Sequence, residues 1–117
     1  MRVLIVEDNA LTRMMLRSLL EQLKWEVAGE AEDGKEAVKV FIEVKPDAVF
    51  LDLILPGQSG LQVLEEIRKI APDAKVVIIT AVEQDEINKK LSASGATAIL
   101  RKPFSFDEFK DLLKRIS

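Results

Sequence analysis

Three acids, a hydroxyl and an ammonium stand just past the ends of short apolar runs in this sequence. Glu7 and Asp8 follow run 3–6, Asp52 follows run 48–51, Thr80 follows run 76–79, and Lys102 and Pro103 come soon after run 98–100. Carboxylates gathered at one place repel one another, and a single lysine does not neutralise three of them. A hard divalent cation does. Mg²⁺ in particular favours carboxylates, waters and phosphate oxygens over an all-protein cage. Beside such an ion Asp52 becomes a shielded carboxylate, able to attack a phosphoryl donor. Phosphoryl transfer asks for positioning and charge neutralisation more than for covalent help. One equatorial oxygen would go to Mg²⁺, a second to Lys102, and a third to Thr80 with nearby backbone N–H groups.

Each residue has a plainer reading on its own. An Asp after a strand caps turns, a Thr at a strand end is ordinary β chemistry, a lone Lys is a solvated charge, and a Pro is a helix breaker. The joint pattern carries weight only if the elements between the runs bring the run ends to one rim. Those elements are five helical patterns at 10–23, 34–44, 60–70, 84–93 and 106–116, alternating with five apolar runs. Runs 3–6, 48–51 and 76–79 are continuously apolar, as parallel strands covered on both faces are. Run 25–31 is interrupted by Glu26 and Glu30 and reads as an edge strand that adds nothing obvious to the rim. Asp33 or Gly34 starts the second helix and Ser59 caps the third. Ser105 caps the fifth, with Glu108 completing a capping box. Repeated βα alternation predicts an α/β, doubly wound sheet with right-handed crossovers. Ligands of such sheets bind beyond the carboxyl ends of the strands.

Length and composition narrow the function. At 117 residues the chain is expected to form one domain, residues 1–117, with a core that needs no staple. It has no Cys and no His, so disulfides, thiolate or imidazole metal sites and histidine base catalysis are excluded. A net charge of −3 gives no reason to expect a nucleic-acid partner. The amino-terminal run meets acid at Glu7, unlike a signal peptide, and no apolar run nears the ~20 residues that span a bilayer. The expectation is a cytoplasmic protein with neither nucleic-acid nor membrane partners.

The chain resembles the receiver domain of two-component response regulators. The resemblance lies in Val3-Leu4-Ile5-Val6-Glu7-Asp8-Asn9, Asp47-Ala48-Val49-Phe50-Leu51-Asp52-Leu53, Pro56 with Gly60, Val77-Ile78-Ile79-Thr80-Ala81, and Gly95-Ala96 through Lys102-Pro103-Phe104. It spans essentially the whole chain. It implies a flavodoxin-like three-layer sandwich on a five-stranded parallel sheet, in the family's strand order 2-1-3-4-5. It makes Asp52 the phosphoacceptor, Asp8 a direct Mg²⁺ ligand, Glu7 a ligand through water and the Ile54 backbone carbonyl a further ligand. Thr80 and Lys102 would contact the phosphoryl group, and Lys102–Pro103 would be a cis peptide. The donor would be a sensor histidine kinase or a histidine phosphotransfer protein. With no output domain in the sequence, the output would be contact with another protein, and phosphorylation-dependent dimerisation is a family habit. Such a chain catalyses only its own phosphorylation and dephosphorylation and is not an enzyme with turnover.

The sequence departs from the family at three places. Ile99 replaces the switch aromatic that the family couples to the hydroxyl at Thr80, which predicts a switch of smaller amplitude. Ser59 replaces an acid or amide and still caps a helix well. Ile54 and Val82 are aliphatic where receivers often carry polar groups along the path of the hydrolytic water, which predicts a long-lived phosphoryl form. On the first helix, a turn of roughly 100° per residue puts Thr12, Met15, Leu16, Leu19, Leu20 and Leu23 on the core side, with Arg13, Arg17, Glu21 and Lys24 opposite. Leu11 and Met14 fall outside the core face, beside the acids, as candidates for docking the donor. Three rivals stand. A pseudo-receiver would use the fold as a binding module without phosphorylation. A flavodoxin would need a Ser/Thr/Gly-rich loop where Glu7-Asp8-Asn9 stands. A haloacid-type phosphatase would need an acid at Ile54.

Overall fold

The computed structural model describes residues 1–81 and 84–117. Five strands, β1 (Arg2–Val6), β2 (Glu26–Ala31), β3 (Ala48–Asp52), β4 (Lys75–Thr80) and β5 (Ala98–Arg101), alternate with α1 (Ala10–Gln22), α2 (Gly34–Val44), α3 (Gly60–Ile70), α4 (Asp85–Ala93) and α5 (Phe106–Ile116). All strand pairs are parallel, in the order β2-β1-β3-β4-β5. The expected doubly wound α/β sheet and its edge strand β2 are therefore both present. No helix among the described residues is long and apolar enough to cross a membrane.

Side-chain alternation along the central strands splits the core into two layers. Val3 and Ile5, Ala48 and Phe50, and Val77 and Ile79 face α1 and α5, where Leu16, Leu20, Phe109, Leu112 and Leu113 close over them. Leu4 and Val6, Val49 and Leu51, and Val76 and Ile78 face the other way, onto Ala37, Phe41, Val63, Leu64, Ile67 and Leu91 of α2, α3 and α4. A strand covered on both faces has no polar position to spare, which is why these runs read as continuous apolar sequence. Three rings tie α5 and its leading loop to the sheet: Phe50 and Phe109 lie with centroids 5.5 Å apart, and Phe104 stacks on Phe109 at 5.6 Å.

Most helix starts follow the sequence signals. Asp33 accepts from Glu36 N–H and Ser59 from Gln62 N–H, and the Gln62 side chain returns the bond to complete a capping box. Ser105 accepts from Glu108 N–H as expected. The reciprocal half of that box is absent, because the Glu108 carboxylate takes the Ser105 hydroxyl instead. α4 begins at Asp85, one residue later than expected, after Gln84, which makes no side-chain cap.

The first helix departs from its expected faces. Leu16 and Leu20 are buried, but Met15 is 45 % exposed and joins Leu11 and Met14 in solvent. Arg13 and Arg17 do not point freely outward; both turn onto acids of β2. The reason is the position of β2 at the sheet edge, where α1 covers a strand carrying Glu30 rather than an aliphatic side chain.

Candidate acidic phosphoacceptor site

Every strand except β2 places a site residue directly at its carboxyl end. At the end of β1 the Glu7 N–H still bonds the Ala31 carbonyl at 3.0 Å, so Glu7 is held as the strand stops. Two residues later the Asn9 side chain caps α1 by accepting the Thr12 N–H at 3.0 Å. Asp8 is thus fixed between a strand end and a helix cap, with its side chain in solvent. Asp52 is the last residue of β3, opposite Ile79, and its Oδ1 accepts the Ile54 N–H at 3.2 Å. Thr80 ends β4 one residue past that pair and is 2 % exposed. Its carbonyl accepts the Lys102 N–H at 2.8 Å, and the Lys102–Pro103 peptide is cis.

These ends converge. One carboxylate oxygen from each of Glu7, Asp8 and Asp52 lies within 4.8 Å of the others. Lys102 Nζ stands 3.6 Å from Asp52 Oδ2 and 3.8 Å from Glu7 Oε1. Burial pushes the Glu7 carboxyl up to about 8, reinforced by its hydrogen bond to Asp52 and the charges of Asp52 and Asp8; Lys102 pulls the other way without prevailing. Burial first and the neighbouring acids second thus favour the protonated Glu7 carboxyl. Three convergent carboxylate oxygens that hold a proton so far above its ordinary range form a donor set suited to a hard divalent cation.

The other predicted residues fall around this cluster. Ile54 is 69 % exposed, so its side chain lies in solvent at the mouth of the site. Val82 lies outside the described residues. Ile99 is half-buried and packs against the α2–α3–α4 side of the core, lining a groove with Asn88, Asp111 and Arg115. Leu11 and Met14 are 77 % and 65 % exposed on the first turns after Asp8.

The sequence reading missed Arg13 and the contribution of β2. The Arg13 guanidinium donates to the Glu7 carbonyl at 2.7 Å and pairs with Glu30 and Glu32, so the edge strand reaches the site at one remove. A signal was present: a cation in the first turns of a helix opposes the helix dipole and needs another reason to be there.

The family model for the response regulator receiver domain matches residues 3–114. The chemotaxis protein CheY of Thermotoga maritima is 39 % identical over 116 residues, covering 99 % of this chain and 97 % of that one. The transcriptional regulatory protein PdtaR of Mycobacterium tuberculosis is 41 % identical over 109 residues, 92 % of this chain but 52 % of its own length. Among solved structures, Vibrio cholerae CheY4 superposes with a TM-score of 0.92 at 26 % identity, covering 99 % of this chain and 98 % of that one. CheY in the CheX-CheY-BeF3-Mg²⁺ complex of Borrelia burgdorferi gives 0.94 at 26 % identity, over 98 % of this chain and 87 % of that one. Sequence, strand order and the match across nearly the whole chain agree: the chain belongs to the response regulator receiver domains, phosphoacceptor switches of two-component signalling.

Proposed function

We propose that residues 1–117 act as one receiver unit in which Asp52 accepts a phosphoryl group in a Mg²⁺-dependent reaction. The donor is a phosphohistidine of a sensor histidine kinase or histidine phosphotransfer protein. The observation that carries this reading is the convergence of three carboxylates within 4.8 Å, with Lys102 3.6 Å from Asp52. The Borrelia burgdorferi CheX-CheY-BeF3-Mg²⁺ complex supports the choice of ion. Asp8 and Asp52 would hold it directly, Glu7 through water, and Ile54 through its carbonyl. When bound, the ion neutralises oxygen charge that Lys102 alone does not.

An Asp52 carboxylate oxygen attacks phosphorus. The new O–P bond forms as the P–N bond to the donor imidazole breaks, and the electron pair leaves with that nitrogen, which then takes a proton. Lys102 pairs with one phosphoryl oxygen, while the Thr80 hydroxyl and neighbouring N–H groups receive another. The chain carries out only its own phosphorylation and the later loss of the group.

Output follows from the coupling of Thr80 to Ile99 on the face made by α4, β5 and α5, where an unidentified output protein or a second phosphorylated copy would bind. Ile99 has no ring to swing, so the change on that face is small. Resonance shifts on adding a phosphoryl mimic test this: shifts spread over the whole face would rule out a damped switch. Leu11 and Met14 form the donor's docking surface. Met14→Lys should slow transfer from the kinase while leaving small-donor phosphorylation unchanged; equal rates from the kinase would remove the assignment.

Intact mass after adding a small phosphodonor tests the central claim. A gain of one phosphoryl group, lost with a chelator and absent in Asp52→Asn, is the expected result. A folded protein that gains none is a pseudo-receiver.

A further inference from the structure

Arg13 belongs to α1 by sequence but faces the acidic site's supporting turn. Its side chain is only 14 % exposed. Nη1 donates to the Glu7 carbonyl at 2.7 Å and reaches the Asp8 carbonyl at 3.5 Å. The remaining nitrogens are held from the other side: Nε lies 3.3 Å from Glu30 Oε1, and Nη2 lies 3.3 Å from Glu32 Oε1. Arg17 also binds Glu30, through Oε2 at 2.9 Å, but no contact of Arg17 with the Glu7–Asp8 turn is among the described ones. One guanidinium therefore links three things: the carbonyls of the two acids that follow β1, the end of edge strand β2, and the helix that starts after them.

The link has a physical purpose. Glu7 and Asp8 leave the sheet in succession, and the hydrogen-bond ladder ends at Glu7, so the turn that carries both acids needs another tie. A planar fork with several donors can hold two carbonyls and two carboxylates at once, which a lysine ammonium on a flexible stem cannot do in fixed geometry. The bond to the Glu7 carbonyl is charge-assisted and part-buried, the circumstances in which such bonds are strong.

We propose that Arg13 is a positioning residue for the phosphoacceptor site: it clamps the Glu7–Asp8 turn to β2 and so sets where these carboxylates stand for the cation. This rests on the Mg²⁺-dependent reading above. Arg13 touches neither the phosphoryl group nor the ion, and acts through the main chain of the residues that do.

The test uses the whole chain as wild type, Arg13→Ala, Arg13→Lys and Arg17→Ala, with two measurements. The first is amide hydrogen exchange at Glu7 and Asp8 in the metal-free protein. Losing a charge-assisted bond to the turn should speed exchange there by roughly tenfold in Arg13→Ala, less in Arg13→Lys and not at all in Arg17→Ala. The second is calorimetric Mg²⁺ affinity, weakened by roughly tenfold in Arg13→Ala, in the same order across variants. Wild-type exchange and affinity in Arg13→Ala overturn the proposal. If Arg13→Ala does not fold, wild-type values in Arg13→Lys do the same. Equal effects of Arg17→Ala and Arg13→Ala also overturn it, because the cause would then be general docking of α1 on β2. A wild type that binds no Mg²⁺ defeats the Mg²⁺ reading instead, and the exchange measurement still decides whether Arg13 clamps the turn.

Discussion

Glu7 and Gly60 show how single residues at this site trade stability for placement. The Glu7 carboxyl is raised from an ordinary 4.5 to about 8, first by burial and then by Asp52. Between those values the folded metal-free protein holds a proton that the unfolded chain has released. Its stabilising contribution is therefore full below about 4.5 and is lost as pH rises through about 8. Urea unfolding of metal-free protein across this range should show stability declining with pH, and Glu7→Gln should remove most of that slope. Gly60 opens α3 directly against the end of β3. A Cβ there would lie 2.5 Å from the Asp52 carbonyl oxygen and 2.7 Å from Leu53 Cα, both main-chain atoms that cannot swing aside. Gly60→Ala should cost about 1–3 kcal/mol by overpacking, read from urea denaturation, and should also slow phosphorylation of Asp52 by displacing the strand end that carries it.

At the scale of elements, the joints matter more than the rods. The α3 carboxyl end and the α4–β5 turn are joined by Arg68, which donates to the carbonyls of Gly95, Pro72 and Ala74 and to the Thr97 hydroxyl. Gly95 has a φ of +97°, and a Cβ on it would lie 2.7 Å from Arg68 Nε, so glycine meets both the backbone and the space requirement. Arg68→Ala leaves part-buried carbonyls without their donor and should lower stability by about 2–3 kcal/mol, measured by thermal unfolding. The caps by Asp33, Ser59 and Ser105 were legible because each side chain bonds an N–H three residues on, a purely local event. The Arg68 joint was not, because it spans 27 residues to Gly95.

For the molecule as a whole, Asp52, the proposed phosphoacceptor, sits where parallel strands end together and two core layers stop. Ile54 stands at the mouth of that site with an exposed aliphatic side chain, which offers no hydrogen bond to orient an attacking water. Ile54→Asn should shorten the lifetime of the purified phosphoprotein several-fold, as followed by loss of the added mass; an unchanged lifetime would mean that water enters by another path. Ile99 is half-buried against the α2–α3–α4 layer of the core, on the face where the proposed small switch would be read.

The sequence by itself determined the alternation of elements, the two-faced central strands, the caps Ser59 and Ser105 and the rim residues Glu7, Asp8, Asp52, Thr80 and Lys102. All of these follow from local periodicity, local hydrogen bonding, or the rule that parallel sheets present their strand ends at one rim. Tertiary structure alone decided the exposure of Met15, the turning of Arg13 and Arg17 onto Glu30, and the raised titration of Glu7. Each depends on which helix covers which strand: edge strand β2 sets the Glu30 carboxylate beneath Arg13 and Arg17 of α1. Period along a helix identifies a face, but only the neighbour opposite that face determines whether an arginine there meets water or a carboxylate.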